Sequence, residues 1–124
     1  MFIKLLKFWF PPAIYSGMIF YVSSIPQLSV PLSGLHTDKL VHFFEYMPLG
    51  FLVSRALFSS KFICLRDVCF IAVVFCACYG LVDEIHQAFV PGRDSSVFDF
   101  LADVFGGCMG AYLYYMWQVK FCKA

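Results

Sequence analysis

Four long apolar segments, separated by short stretches rich in proline, glycine and charge, organise this chain. They cover about 8–25, 39–58, 67–87 and 97–117. Each approaches the ~20 residues that an α-helix needs to cross a bilayer. Polar positions interrupt them at helical spacing. In the second segment Asp38, His42 and Glu45, followed by Leu49, share one face. In the third, Gly80, Glu84 and Gln87 share a side, with Asp83 beside them and His86 further round. In the fourth, Asp99, Asp103, Gly106 and Gly110 follow one another by helical steps. The pattern predicts one all-α domain, a bundle of four transmembrane helices with a polar side on three of them.

The boundaries carry ordinary stop and start signals. Pro26, Ser29, Pro31, Ser33 and Gly34 punctuate a loop over 27–37. Thr37 or Asp38 is placed to cap the second helix. Pro48 lies inside that helix, where it removes a backbone donor. Phe89 to Asp94, with Pro91-Gly92, reads as a turn. Ser96, with Asp99 three residues on, resembles a capping box that opens the fourth helix. The basic lead with Lys4 and Lys7 before an apolar run also fits a signal peptide. Pro11-Pro12 and the bulky Phe8, Trp9, Phe10, Phe20 and Tyr21 fit a retained first helix better.

Composition strengthens the membrane reading. Hydrophobic residues make up 61% of the chain and charged residues only 14%, against about 25% in a typical soluble domain. Sixteen Phe, seven Tyr and two Trp exceed what a 14.2 kDa soluble core can bury. A formal net charge of +1 argues against nucleic acid as a partner. Cys64, Cys69, Cys76, Cys78, Cys108 and Cys122 contain no C-x-x-C pair and read as small apolar packing residues.

Charge also sets an expected orientation. Lys4, Lys7, Arg55, Lys61, Arg66, Lys120 and Lys123 fall on the side of the termini, and only Lys39 and Arg93 fall opposite. By the positive-inside rule both termini are cytoplasmic. Asp38, Glu45, Asp83, Glu84, Asp94, Asp99 and Asp103 gather near the outer ends. Glu45 lies roughly 10 Å along the helix from Asp38. An ionisable group at a helix centre costs about 2.5–3.5 kcal/mol on insertion scales. Several at one level must therefore meet one another or water. The expectation is a polar pocket between three helices, open to the outer face.

Plainer roles compete for some of these residues. Asp38, Ser96 and Asp99 also fit helix caps. Lys39 and Arg93 also fit side chains snorkelling to headgroups. His42 also fits a hydrogen-bonded core histidine, and Gly106-x-x-x-Gly110 fits helix packing. Glu45 and Glu84 lie inside helices and cannot be caps.

Three ordered blocks resemble the VanZ-like family. They are Asp38-Lys39-x-x-His42-x-x-Glu45-Tyr46, Gly80-Leu81-x-x-Glu84-x-x-Gln87, and Pro91-Gly92-Arg93-x-x-Ser96-x-x-Asp99-x-x-x-Asp103 with Gly106. Ser23-Ser24-Ile25-Pro26 is similar to that family's end of the first helix, so the resemblance runs over about 20–112. The chain departs at Asp103, where the family usually carries Asn. The resemblance implies a small multi-pass protein of the bacterial cytoplasmic membrane, in a family with some members linked to teicoplanin-type glycopeptide resistance. The functional residues it suggests are Asp38, Lys39, His42, Glu45, Glu84, Gln87, Arg93 and Asp99.

Two classes of function follow. In the first, Lys39 and Arg93 hold a phosphate or carboxylate headgroup, Asp38, Gln87, Asp99 and Asp103 line the site, and Glu45 or Glu84 acts with His42 as general acid or base. Membrane lipids and lipid-linked cell-wall precursors are the expected partners. No cofactor is expected. A metal variant, with His42, Glu45, Glu84, Asp99 and Asp103 as ligands, is the lesser form, since no H-E-x-x-H motif is present. In the second class the chain is a non-enzymatic scaffold whose polar cluster locks the helices. A proton or ion pathway is disfavoured, because no polar ladder continues into the cytoplasmic halves.

Overall fold

The computed structural model describes residues 2–26, 37–59 and 63–122. Among them the fold is all-α, with four long helices and no strand. These are α1 (Phe2–Ser23), α2 (Thr37–Phe58), α3 (Leu65–Gln87) and α4 (Val97–Trp117). A short π-helical turn, Gln118–Cys122, continues α4. Helix α1 begins at Phe2 rather than near 8 and carries Pro11 and Pro12 inside it. The loop expected over 27–37 falls largely outside the described residues, as do Lys61 and Lys123.

Side-chain contacts fix the relative direction of the helices. Lys39 at the start of α2 pairs with Asp99 at the start of α4. Ser24, just past α1, meets His86 near the end of α3. Glu84, also near the end of α3, accepts from the backbone of Ser96 before α4. The helices therefore alternate in direction, and these four element ends lie together. At the opposite end the Arg55 guanidinium sits 5.2 Å from the centre of the Phe8 ring.

The seam between α2 and α4 is the closest in the bundle, and glycine makes it so. A Cβ on Gly106 would strike the backbone carbonyl of Phe43, one on Gly110 that of Met47, and one on Gly50 that of Gly107. The packing role expected of Gly106 and Gly110 is thus a backbone-to-backbone approach. Around the seam Tyr46, Leu49, Val53, Ala72, Cys76 and Ala111 form the buried apolar cluster. Helix α1 is pinned by two tyrosines: Tyr15 donates to the Glu45 carbonyl at 3.0 Å, and Tyr79 donates to the Ser16 carbonyl at 2.6 Å. The five cysteines with described side chains are free; Cys76 is buried in the core, while Cys64 and Cys78 lie exposed.

Large apolar side chains cover much of the exterior, while several ionisable ones are buried. Phe70, Phe105, Val97, Phe98, Tyr21 and Phe121 are each more than half exposed. His42, Asp83, Glu84, Asp99 and Asp103 are buried. An apolar exterior this extensive needs a covering. Among the described residues two helices, Leu65–Gln87 and Val97–Phe121, are long and apolar enough to cross a membrane, with mean hydropathies of 2.1 and 1.2.

Candidate functional site

The site grows from the end of the bundle where α2 and α4 begin and α3 finishes. Helical periodicity puts Asp38, His42 and Glu45 along one side of α2, as the sequence predicts. Asp38 stands exposed in the first turn, suited to the positive end of the helix dipole. Thr37 and Asp38 both lie within α2 rather than capping it as expected.

His42 goes deeper. Its Nδ1 lies 2.9 Å from Asp103 Oδ1 and 4.0 Å from Glu84 Oε1. Asp103 is fully buried, Glu84 is 4% exposed and His42 5%. Asp103 fits there because α3 carries Gly80 opposite it: a Cβ on Gly80 would lie 2.9 Å from Asp103 Oδ2 and 3.0 Å from its Cβ. Three helices thus each contribute one member to a compact group, His42 from α2, Glu84 from α3 and Asp103 from α4.

A second layer surrounds it. Lys39 Nζ bonds Asp99 Oδ1 at 2.9 Å, with the Asp99 side chain 4% and the Lys39 side chain 30% exposed. Ionic hydrogen bonds of this length are the strong kind. Gln87 Nε2 donates to Asp83 Oδ2 at 3.1 Å, one turn earlier on the same helix. Glu45 and the half-buried Arg93 are close enough to interact electrostatically, and His42, Asp83 and Asp103 lie within the same reach of Glu45. Carboxylate oxygens of Asp38 and Asp99 also approach a His42 ring nitrogen within 4.8 Å.

Capping at α4 differs from the expected box. Ser96 is the N-cap, and its Oγ accepts from the Phe98 N–H at 3.2 Å. The reciprocal partner is not Asp99, which is engaged by Lys39. Glu84 Oε2, from the preceding helix, takes the Ser96 N–H at 2.8 Å. Gly92, with φ of 77°, makes the turn between these two helices.

The family model for VanZ/LLP1 matches residues 2–118. The chain belongs to the VanZ/LLP1 family. No curated protein and no solved structure matches it. The VanZ/LLP1 match extends beyond the 20–112 covered by the quoted sequence blocks, taking in nearly all of α1 and the end of α4. Those blocks lie on different helices, and the fold brings them to one end. The sequence places Asp83 beside the polar side of α3 and His86 further round, but it assigns no site role to either, nor to Ser24. Asp83 is 2% exposed and bonded to Gln87, and Ser24 Oγ lies 3.0 Å from His86 Nε2. Adjacency of Asp83 to Glu84 was the available signal for the first. Nothing in helical spacing connects α1 to His86.

Two grooves among the described residues lie elsewhere on the bundle. A groove of about 310 Å³ between α1, α2 and α4 is lined by Tyr15, Met47, Pro48, Phe51, Leu52 and Leu113. A larger one of about 530 Å³, at the opposite end, includes Lys7, Arg55, Tyr114 and Trp117. Within the polar group Asp103 faces His42, and Glu84 faces both His42 and the Ser96 backbone.

Proposed function

We propose that this VanZ/LLP1 protein is a four-span protein of the bacterial cytoplasmic membrane with both termini cytoplasmic. Its buried polar group, near the outer ends of the helices, binds or acts on the headgroup of an amphiphile, a membrane lipid or lipid-linked cell-wall precursor. One observation carries the reading: His42, Glu84 and Asp103 converge inside a bundle whose exterior is apolar. Burial of ionisable groups among lipid-facing helices is costly, and such groups ordinarily mark function. Lys39 and Arg93 lie at the same end and supply positive charge for a phosphate or carboxylate. Glu45 or Glu84, with His42, would move the proton if the headgroup reacts. A contribution to glycopeptide resistance follows if the amphiphile belongs to the cell wall.

The test has two parts. Alkaline phosphatase fused after Arg93 should be active, and fused after Lys61 inactive; the reverse overturns the orientation. Lipid extracted from the purified protein should contain an anionic species enriched over bulk membrane, and Lys39→Gln with Arg93→Gln should abolish the enrichment. Equal lipid content in wild type and variant ends the headgroup reading.

A second reading, a scaffold locked by its polar group, draws on the internal pairing. Asp99 is held by Lys39, Asp103 by His42, and Glu84 by the Ser96 backbone. Glu45→Gln and Glu84→Gln separate the two readings. Loss of phenotype at normal membrane abundance excludes a pure scaffold.

A further inference from the structure

The group at the centre of the site has an unusual balance. His42 faces Asp103 and Glu84 at 2.9 and 4.0 Å, and one donor atom from each of the three residues falls within 4.8 Å of the others. Two carboxylates and one imidazole leave an excess of negative charge if all are ionised. Asp83 and Glu45 lie close by and add to it. Lys39 is committed to Asp99, and Arg93 lies within electrostatic reach of Glu45.

A second observation concerns individual oxygens. Glu84 uses Oε2 on the Ser96 N–H, but Oε1, turned toward His42, has no hydrogen-bond partner. Asp103 uses Oδ1 on His42, and its Oδ2 likewise has none. Both residues are more than nine-tenths buried. Orphaned buried carboxylate oxygens are expensive, and a proton, an ordered water or a cation relieves them.

We propose that His42, Glu84 and Asp103 bind one divalent transition-metal cation of the zinc class. A nitrogen and two carboxylate oxygens form a suitable ligand set, and tetrahedral zinc bonded at about 2.0–2.2 Å sets its donors roughly 3.3–3.6 Å apart. The spacings of 2.9 and 4.0 Å bracket that value, so small side-chain rotations admit the ion. His42 Nδ1 exchanges its contact with Asp103 for the metal. Each carboxylate supplies one oxygen, and Glu84 Oε2 keeps Ser96. Three protein ligands leave a coordination position for water or a headgroup oxygen. The alternative group, Asp38 with His42 and Asp99, is the weaker site because Asp38 is exposed and Asp99 is engaged by Lys39.

Metal binding is read on the protein alone, so it stands or falls apart from any amphiphile. The full chain, purified in detergent, is stripped with chelator, reloaded with Zn²⁺ and freed of excess. Wild type should retain about one zinc per chain, with only nitrogen and oxygen neighbours at about 2.0–2.2 Å by X-ray absorption. Glu84→Gln and Asp103→Asn should each weaken binding at least 10-fold, and Asp38→Asn should leave it unchanged. Zn²⁺ should raise the thermal midpoint of wild type and not that of Asp103→Asn. No zinc in wild type overturns the proposal. Sulfur neighbours at about 2.3 Å would assign the ion to cysteine and overturn it too. Loss in Asp38→Asn with retention in Glu84→Gln would move the ion to the other group. The wild-type measurements decide the matter even if a variant does not fold.

Discussion

Glu84 on α3 caps the helix that follows it: its Oε2 accepts the backbone N–H of Ser96 at 2.8 Å. The side chain that would close an ordinary capping box, Asp99, is drawn instead to Lys39 on α2. One helix start is thereby tied to two other helices. Replacing Glu84 by Ala leaves a backbone donor without its partner at a partly buried position, which costs about 1–3 kcal/mol. Glu84→Gln retains an acceptor oxygen and should melt within a few degrees of wild type in detergent. Equal melting of Glu84→Ala and wild type would show that this cap contributes nothing.

Gly80 should be the most sensitive single position on α3. An added methyl meets the Asp103 carboxylate at 2.9 Å and the Asp103 Cβ at 3.0 Å. Overpacking of this kind costs about 1–3 kcal/mol. Gly17 on α1 is the control, since nothing lies within 4 Å of a Cβ built there. Gly17→Ala should be neutral or stabilising by up to about 1 kcal/mol, through helix propensity. Thermal unfolding of the two variants, compared with wild type, checks both.

The seam between α2 and α4 gives a harsher case. At Gly110 a methyl would collide with the backbone carbonyl of Met47, and backbone yields less readily than a side chain. Gly110→Ala should lower the melting midpoint more than Gly80→Ala. A cysteine pair across the seam should also cross-link less efficiently in the variant. Preserved melting would mean that the helices can separate at little cost.

Lys39 and Asp99 should respond unequally to mutation. Asp99 is nearly inaccessible and Lys39 is partly exposed. Lys39→Ala strands a buried carboxylate, whereas Asp99→Ala frees an ammonium that can reach water. The first should destabilise by about 1–3 kcal/mol and the second by less. The double variant should recover part of the Lys39→Ala loss. Additive losses in the two single variants would deny the coupling.

Tyr79 donates to Ser16 across to α1, and Tyr15 donates to the Glu45 carbonyl. Tyr79→Phe removes one of these ties at a cost of about 0.5–1.5 kcal/mol. Faster hydrogen exchange in α1, with α2 to α4 unchanged, is the expected result. Uniform loosening of all helices would assign the tie to the core instead.

The helices, and the polar side of each, are legible in the chain alone. Long helical runs bounded by breaking residues fix where α2, α3 and α4 lie, because each residue's helical preference and each Pro-Gly break act locally. Period 3.6 also fixes which side of each helix is polar, so His42, Glu84 and Asp103 were recognisable as inward candidates on their separate helices. The start of α1 at Phe2 was less legible, since its basic lead and proline pair resemble a helix boundary. Which of these side chains meet is settled by packing. Helical phase cannot say that His42 takes Asp103 while Asp99 takes Lys39, or that Glu84 replaces Asp99 as the cap of α4. Those choices depend on helix separation and rotation. They are set by a few close backbone approaches at Gly50, Gly106 and Gly110 and by the space that Gly80 leaves for a carboxylate.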